Sequence, residues 1–337
     1  MFRPQGLYPA FMTAFDQSGN MNEPVVRDMV DFMIERGVDG IFPGSTCGEF
    51  VHMDLNERKR LIEIVVDQVR GRVAVTPGIG ATCPRKSVEL AEHAKQLGCD
   101  AVVLLAPYFF VSTQDIVEKY VEVVAAAVDI PVVLYNIPFF TNPILPDTVE
   151  KLCRLPNIVA IKDSSGNMVN LVNNIDQSRQ VNPDFHVLIG YEEGLYPALM
   201  AGAKGCFTAS VGIIPEVMRD IYDSTMRGDY DHARERQYSI LRLIRLMKVP
   251  PFPLGFKVGM EARGFPMGPP QQPLSSQQEQ VYVRVRSEIF EYIDRLVGPK
   301  AQARPSEGAS ASGDGAPSPA DIERIVRQVL TEVRATM

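Results

Sequence analysis

The chain of 337 residues has no tryptophan, only four histidines and only five cysteines. Cys47, Cys83, Cys99, Cys153 and Cys206 are odd in number, far apart and free of any CxxC spacing. They predict reduced thiols in a cytosolic protein, not a disulfide framework or a zinc site. Four histidines without an HExxH arrangement predict no dedicated metal site. No charge-free apolar run reaches the ~18–20 residues that span a bilayer. Met1-Phe2-Arg3-Pro4 lacks the basic and apolar regions of a secretory signal. Lys+Arg 34 against Asp+Glu 41 leaves a formal charge of −7, which speaks against a nucleic-acid partner. A dinucleotide fingerprint is missing too: Gly78-Ile79-Gly80 is followed by Cys83 where the third glycine should stand. No cofactor is expected. With 45% apolar residues, the chain has ample material for a large core.

What is present is a repeat. Val25, Val26, Met29, Val30 and Met33 share one helical stripe that Gly37 ends. Gly37-Val38-Asp39-Gly40-Ile41, Gly98-Cys99-Asp100-Ala101-Val102 and Gly202-Ala203-Lys204-Gly205-Cys206 follow one pattern. Each has a glycine suited to a left-handed helix end, then a short turn into an apolar strand. Strands are predicted near Gly6 to Thr13, Gly40 to Phe42, Val73 to Pro77 and Ala101 to Leu105. Four more follow at Pro131 to Tyr135, Ile158 to Lys162, His186 to Ile189 and Gly205 to Ala209. Eight short Val/Ile/Leu-rich strands alternating with helices predict an α/β chain, a closed (β/α)8 TIM barrel.

From about Pro215 to Val297 helices take over, with Pro250, Pro251 and Pro253 ending one and another running from Ser275 to Leu296. Residues 1–297 therefore read as a barrel with a helical extension. Residues 298–317, rich in Pro, Ser, Ala and Gly, read as a flexible linker. Ser318-Pro319-Ala320-Asp321 is a helix start. Ile322, Ile325, Val326, Val329, Leu330 and Val333 then make 318–337 an amphipathic helix whose stripe requires a partner surface.

Catalytic groups of such a barrel sit at the carboxyl ends of the strands. After the second strand, Pro43-Gly44-Ser45-Thr46-Cys47-Gly48-Glu49 forms a polar turn that can bind a carboxylate or serve as a plain connector. Tyr135, closing the fifth strand, can carry protons or simply pack. Lys162 ends the apolar run Ile158 to Ile161, where a charged amine is expensive to bury and a neutral one attacks carbonyls. Lys59, Lys86, Lys95, Lys119 and Lys151 read as solvated charges. Amine, tyrosine and turn on one barrel face together spell Schiff-base chemistry on a 2-oxo acid.

With these residues the sequence resembles the dihydrodipicolinate synthase/N-acetylneuraminate lyase family, pyruvate-type class I aldolases on a (β/α)8 barrel. The resemblance rests on Gly44 to Glu49, Tyr135-Asn136-Ile137-Pro138 and Ile161-Lys162-Asp163-Ser164-Ser165-Gly166. It implies that Lys162 forms the imine, Tyr135 carries the proton and Thr46 helps hold the substrate carboxylate. Ser45, Cys47, Tyr108, Phe140, Gly190 and Glu192 are the implied substrate-binding positions. Cys47 stands where relatives commonly carry a hydroxyl. Phe109 replaces the synthase tyrosine that reaches a neighbouring subunit. Phe140 replaces the arginine that the synthase uses for a second carboxylate. Gly190-Tyr191-Glu192-Glu193 is similar to the Gly-Tyr-Asp-Glu of sialic-acid lyases, so Glu192 either contacts substrate hydroxyls or caps a helix.

The implied reaction splits or joins a 4-hydroxy-2-oxo acid, with pyruvate and an aldehyde as partners. Dihydrodipicolinate synthesis and imine-dependent dehydration are the enzymatic alternatives; a silent scaffold with a partner-binding tail is the third. The family implies a homotetramer. The linker and terminal helix resemble encapsulation peptides, which implies docking on a bacterial microcompartment shell protein within the cytoplasm.

Overall fold

The computed structural model describes residues 1–298; the linker predicted at 298–317, apart from Gly298, and the helix predicted at 318–337 lie outside the described residues. Eight parallel strands alternate with helices. The first half runs β1 (Gly6–Pro9), α1 (Glu23–Glu35), β2 (Gly40–Ile41), α2 (Leu55–Val69), β3 (Ala74–Val75), α3 (Pro84–Gln96) and β4 (Val102–Leu105). Then come α4 (Gln114–Ala127), β5 (Val132–Asn136), α5 (Pro146–Leu152), β6 (Ile158–Asp163), α6 (Met168–Val181), β7 (His186–Ile189), α7 (Leu195–Met200) and β8 (Gly205–Thr208). Five helices complete the described chain: α8 (Ser210–Ile213), α9 (Pro215–Arg227), α10 (Tyr230–Met247), α11 (Leu254–Ala262) and α12 (Ser276–Val297).

The sheet order is β1-β8-β7-β6-β5-β4, with β2 and β3 paired separately. Two single parallel bridges, Ala10 to Phe42 and Gly78 to Val103, join these pieces and close the barrel. The predicted β1, β2 and β3 were longer: in the structure β1 ends at Pro9, Phe42 keeps only its bridge to Ala10, and Val73, Thr76 and Pro77 lie outside the β2–β3 ladder. Prolines open α1, α3, α5 and α9, where a missing N–H costs nothing. Gly37, Gly98 and Gly202 have φ of 77°, 77° and 108°, the left-handed values that the repeat pattern demands.

Strand alternation divides the core into two layers. Leu104, Leu134, Ile161 and Val187 face the helices. Val103, Val133, Tyr135, Leu188, Phe42 and Phe207 fill the barrel. Burial of such side chains contributes about 1.5–3 kcal/mol each. Because Ile161 faces outward, the next side chain, Lys162, faces inward. Among the described residues no helix is long and apolar enough to cross a membrane.

Candidate active site

Lys162 is buried at the end of β6, paired in register with Tyr135 on β5. Its Nζ lies 3.8 Å from the centre of the Tyr135 ring and 4.8 Å from that of Phe42. An amine held against two ring faces needs no carboxylate to orient it. Gly190, at the end of β7, makes room for it. A Cβ there would lie 2.9 Å from Lys162 Cε and collide with Ser164 Oγ.

Tyr135 Oη is 3.3 Å from Thr46 Oγ1, so the two hydroxyls share a hydrogen bond. This bond links the sheet to the polar turn after β2. Ser45 is spent inside that turn: its Oγ donates to Phe11 O at 2.9 Å and accepts from Gly48 N–H at 3.0 Å. Gly48 is packed so closely that a Cβ would come within 2.6 Å of Phe11 O. Thr46 is therefore the turn hydroxyl that reaches the reactive face. Cys47 lies near both Lys162 and Glu192; burial, reinforced by the Glu192 charge, pushes its thiol up to about 12. The thiol stays neutral and unreactive at ordinary pH.

Glu192 does not cap the helix after β7. Its Oε1 accepts instead from the N–H groups of Ala209 at 3.0 Å and Ser210 at 3.4 Å, across the mouth after β8. Burial raises this carboxyl above the usual range. Asp163 is likewise raised by burial, while Oδ1 accepts from Asn136 Nδ2 at 3.1 Å and Ser165 N–H at 2.8 Å. That network pins the ends of β5 and β6, and hence the separation of Tyr135 from Lys162.

A cavity of about 330 Å³ opens from Thr46 outward. Tyr108, Leu105, Ile137, Phe140 and Phe252 are among the residues that line it, as are Glu49 and Gln272. The Phe140 and Phe252 ring centres are 5.6 Å apart, and Phe252 leans on Phe256 at 5.9 Å. Phe139 turns away, its ring 6.3 Å from that of Tyr191. Phe109 is 87% exposed with φ of 81°.

Lys59, Lys95, Lys119 and Lys151 pair with surface carboxylates. A second buried lysine, Lys257, was not singled out by the sequence: its Nζ is 2.7 Å from Glu49 Oε1. Phe42 was missed as well, since an aromatic residue ending a strand reads as core. For Lys257 a signal existed, because α11 (LGFKVGMEA) is apolar on nearly every side, the mark of a buried helix.

A parallel (β/α)8 barrel with a buried amine, a facing tyrosine and a polar turn at its C-terminal mouth is the framework of a class I, Schiff-base lyase or aldolase. The chain matches the Dihydrodipicolinate synthetase family over residues 3–291, and it belongs to that family. It is 33% identical to the 4-hydroxy-tetrahydrodipicolinate synthase of Methanopyrus kandleri over 291 residues, covering 86% of this chain and 96% of that one. It is 34% identical to the probable 2-dehydro-3-deoxy-D-pentonate aldolase YjhH of Escherichia coli K12 over 265 residues, covering 78% and 88%. Among solved structures, YagE, a prophage protein of the dihydrodipicolinic acid synthase family from E. coli K12, was determined in complex with pyruvate. It superposes with a TM-score of 0.80 at 29% identity, covering 87% of this chain and 98% of that one. Dihydrodipicolinate synthase from Aquifex aeolicus gives 0.81 at 27% identity, covering 89% and 100%.

Proposed function

We propose that the protein splits or joins a 4-hydroxy-2-oxo acid through an imine on Lys162, with pyruvate and an aldehyde as the two halves. The observation that carries this reading is Lys162 Nζ held 3.8 Å over the Tyr135 ring, with Tyr135 Oη bonded to Thr46. The pyruvate complex of YagE and the aldolase name of YjhH agree with it. In the cleavage direction, Nζ attacks C2 of the oxo acid and the carbinolamine loses water. The 4-hydroxyl gives up its proton through Tyr135 Oη as the C3–C4 bond breaks, and the electron pair flows into the iminium to form an enamine. The aldehyde leaves, the proton returns to C3, and water releases pyruvate and the free amine. Thr46 and the turn backbone hold the carboxylate. Ser45 supports this turn from within, Cys47 and Gly190 shape the space around Lys162, and Tyr108 borders the aldehyde side. Glu192 binds substrate hydroxyls. Borohydride added with pyruvate should leave one reduced adduct per chain, on the peptide bearing Lys162. Labelling elsewhere, or none, removes this reading.

Phe140 shapes the choice of aldehyde. An apolar ring beside Phe252 offers no partner to a second carboxylate. This disfavours dihydrodipicolinate synthesis, the activity in the name of the Methanopyrus kandleri relative, and favours a less polar aldehyde. Phe140→Arg should shift kcat/KM toward an aldehyde that carries a carboxylate, such as aspartate semialdehyde, by about 10–100-fold relative to propanal. An unchanged ratio would separate Phe140 from selectivity.

The homotetramer remains part of this proposal, supported by exposed Phe109, Phe110 and Val111 at one loop, and light scattering reads it directly. So does packaging: the stripe Ile322, Ile325, Val326, Val329, Leu330 and Val333 docks on a microcompartment shell protein. Residues 298–337 fused to a fluorescent protein should co-localise with an assembled shell, and diffuse fluorescence beside that shell would remove the targeting role.

A further inference from the structure

Lys257 and Glu49 form an ion pair whose side chains are 1% and 3% exposed, the most deeply buried pair among the described residues. Removing either partner leaves an uncompensated charge in the interior, so the two are held together. The pair does not brace the strands. It ties α11, in the helical extension, to the turn that follows β2.

The geometry makes this tie specific to the turn. Glu49 has φ of 60°, a left-handed conformation that a residue with a side chain keeps only where its surroundings enforce it. Its N–H donates to Thr46 O at 3.2 Å, so the backbone of Glu49 and that of Thr46 move as one. Oε1 accepts from Lys257 Nζ at 2.7 Å, and Oε2 accepts from Gln271 N–H at 3.2 Å. Lys257 Nζ also sits 4.8 Å from the centre of the Phe15 ring, which fixes its other side. One turn earlier, Pro253 borders the same cavity as Glu49 and Thr46. A single short helix thus touches the aldehyde side of the cavity and clamps the carboxylate side.

We propose that Lys257 is a positioning residue for substrate binding: its ion pair with Glu49 holds Thr46 and the turn backbone in the register that receives a 2-oxo acid's carboxylate. This inference rests on the Schiff-base reading above. It makes the helical extension a working part of the site.

The test uses borohydride trapping on the full chain, with pyruvate and with its uncharged ester, methyl pyruvate, as probes. In Lys257→Met, half-saturation by pyruvate should rise roughly 10-fold or more, the scale of a lost charge-assisted contact. Half-saturation by methyl pyruvate should change less than about 2-fold, and the limiting labelling rate should hold for both. The double variant Glu49→Gln with Lys257→Met removes the lone buried charge. It should recover thermal stability while keeping the weak pyruvate response. Equal losses with both probes, or full pyruvate affinity in the double variant, would reduce the pair to a structural brace and overturn the proposal. Failure of the native chain to label at Lys162 shows itself before any variant is made, and marks the Schiff-base reading as the fault.

Discussion

Lys162→Ala should fold as the native chain does and catalyse nothing measurable. Loss of a covalent nucleophile costs roughly 10⁴-fold or more in kcat, because positioning and polarisation that remain cannot replace the bond it forms. The fold should survive because Lys162 engages no ion pair among the described residues and rests on the faces of Tyr135 and Phe42. Removal of an amine from an apolar layer leaves no orphaned carboxylate behind. The informative combination is therefore a native circular dichroism spectrum and melting curve, no borohydride adduct, and no turnover of any aldehyde with pyruvate. Residual turnover within tenfold of the native rate would place the nucleophile elsewhere.

Gly190→Ala should be nearly as severe through geometry alone. The added carbon falls against Ser164 Oγ and 2.9 Å from Lys162 Cε, closer than real side-chain contacts come. Ser164 Oγ bonds to Gly190 O at 3.3 Å and has little freedom to retreat, so the lysine stem must swing aside. A displacement near 1 Å at a reacting atom costs about 10²-fold in rate. The expected signature is a fall of at least about 100-fold in the limiting rate of adduct formation, with a loss of stability in the ordinary range of about 1–3 kcal/mol for overpacking. A variant that labels at the native rate would show that the lysine has more room than the packing allows.

Much of this architecture was readable in the residues. Lys162 and Tyr135 stood out because each ends a continuous apolar strand at the carboxyl end, where a barrel keeps its catalytic groups. Gly37, Gly98 and Gly202 announced the helix ends because few other residues accept their positive φ. The strand limits of β2 and β3 did not emerge, since apolar residues continue past the point where the ladder stops. For Glu192 the sequence left substrate hydroxyls and a helix cap open, and its bonds to Ala209 and Ser210 arise only after β7 and β8 come together. Glu49 and Lys257 are 208 positions apart, and no local spacing connects them. Pairings created by barrel closure are tertiary facts, and periodicity carries none of them.

The short ladder between β2 and β3 has a consequence for how this enzyme can be altered. Six strands form a continuous arc, and the remaining two join it through one bridge on each side and through backbone bonds such as Phe42 N–H to Pro9 O at 3.2 Å and Ile79 N–H to Val103 O at 2.9 Å. Behind this pair Arg58, on α2, donates to Gly78 O at 2.9 Å and Gly80 O at 2.8 Å with its guanidinium over the Phe50 ring, and so ties α2 to the loop that follows β3. Lys162 thus stands on the six-strand arc, whereas the polar turn stands on the two-strand piece. A substitution at Thr46 is therefore felt at the arc through its hydroxyl contact with Tyr135, without replacing a residue of the strand that bears Lys162.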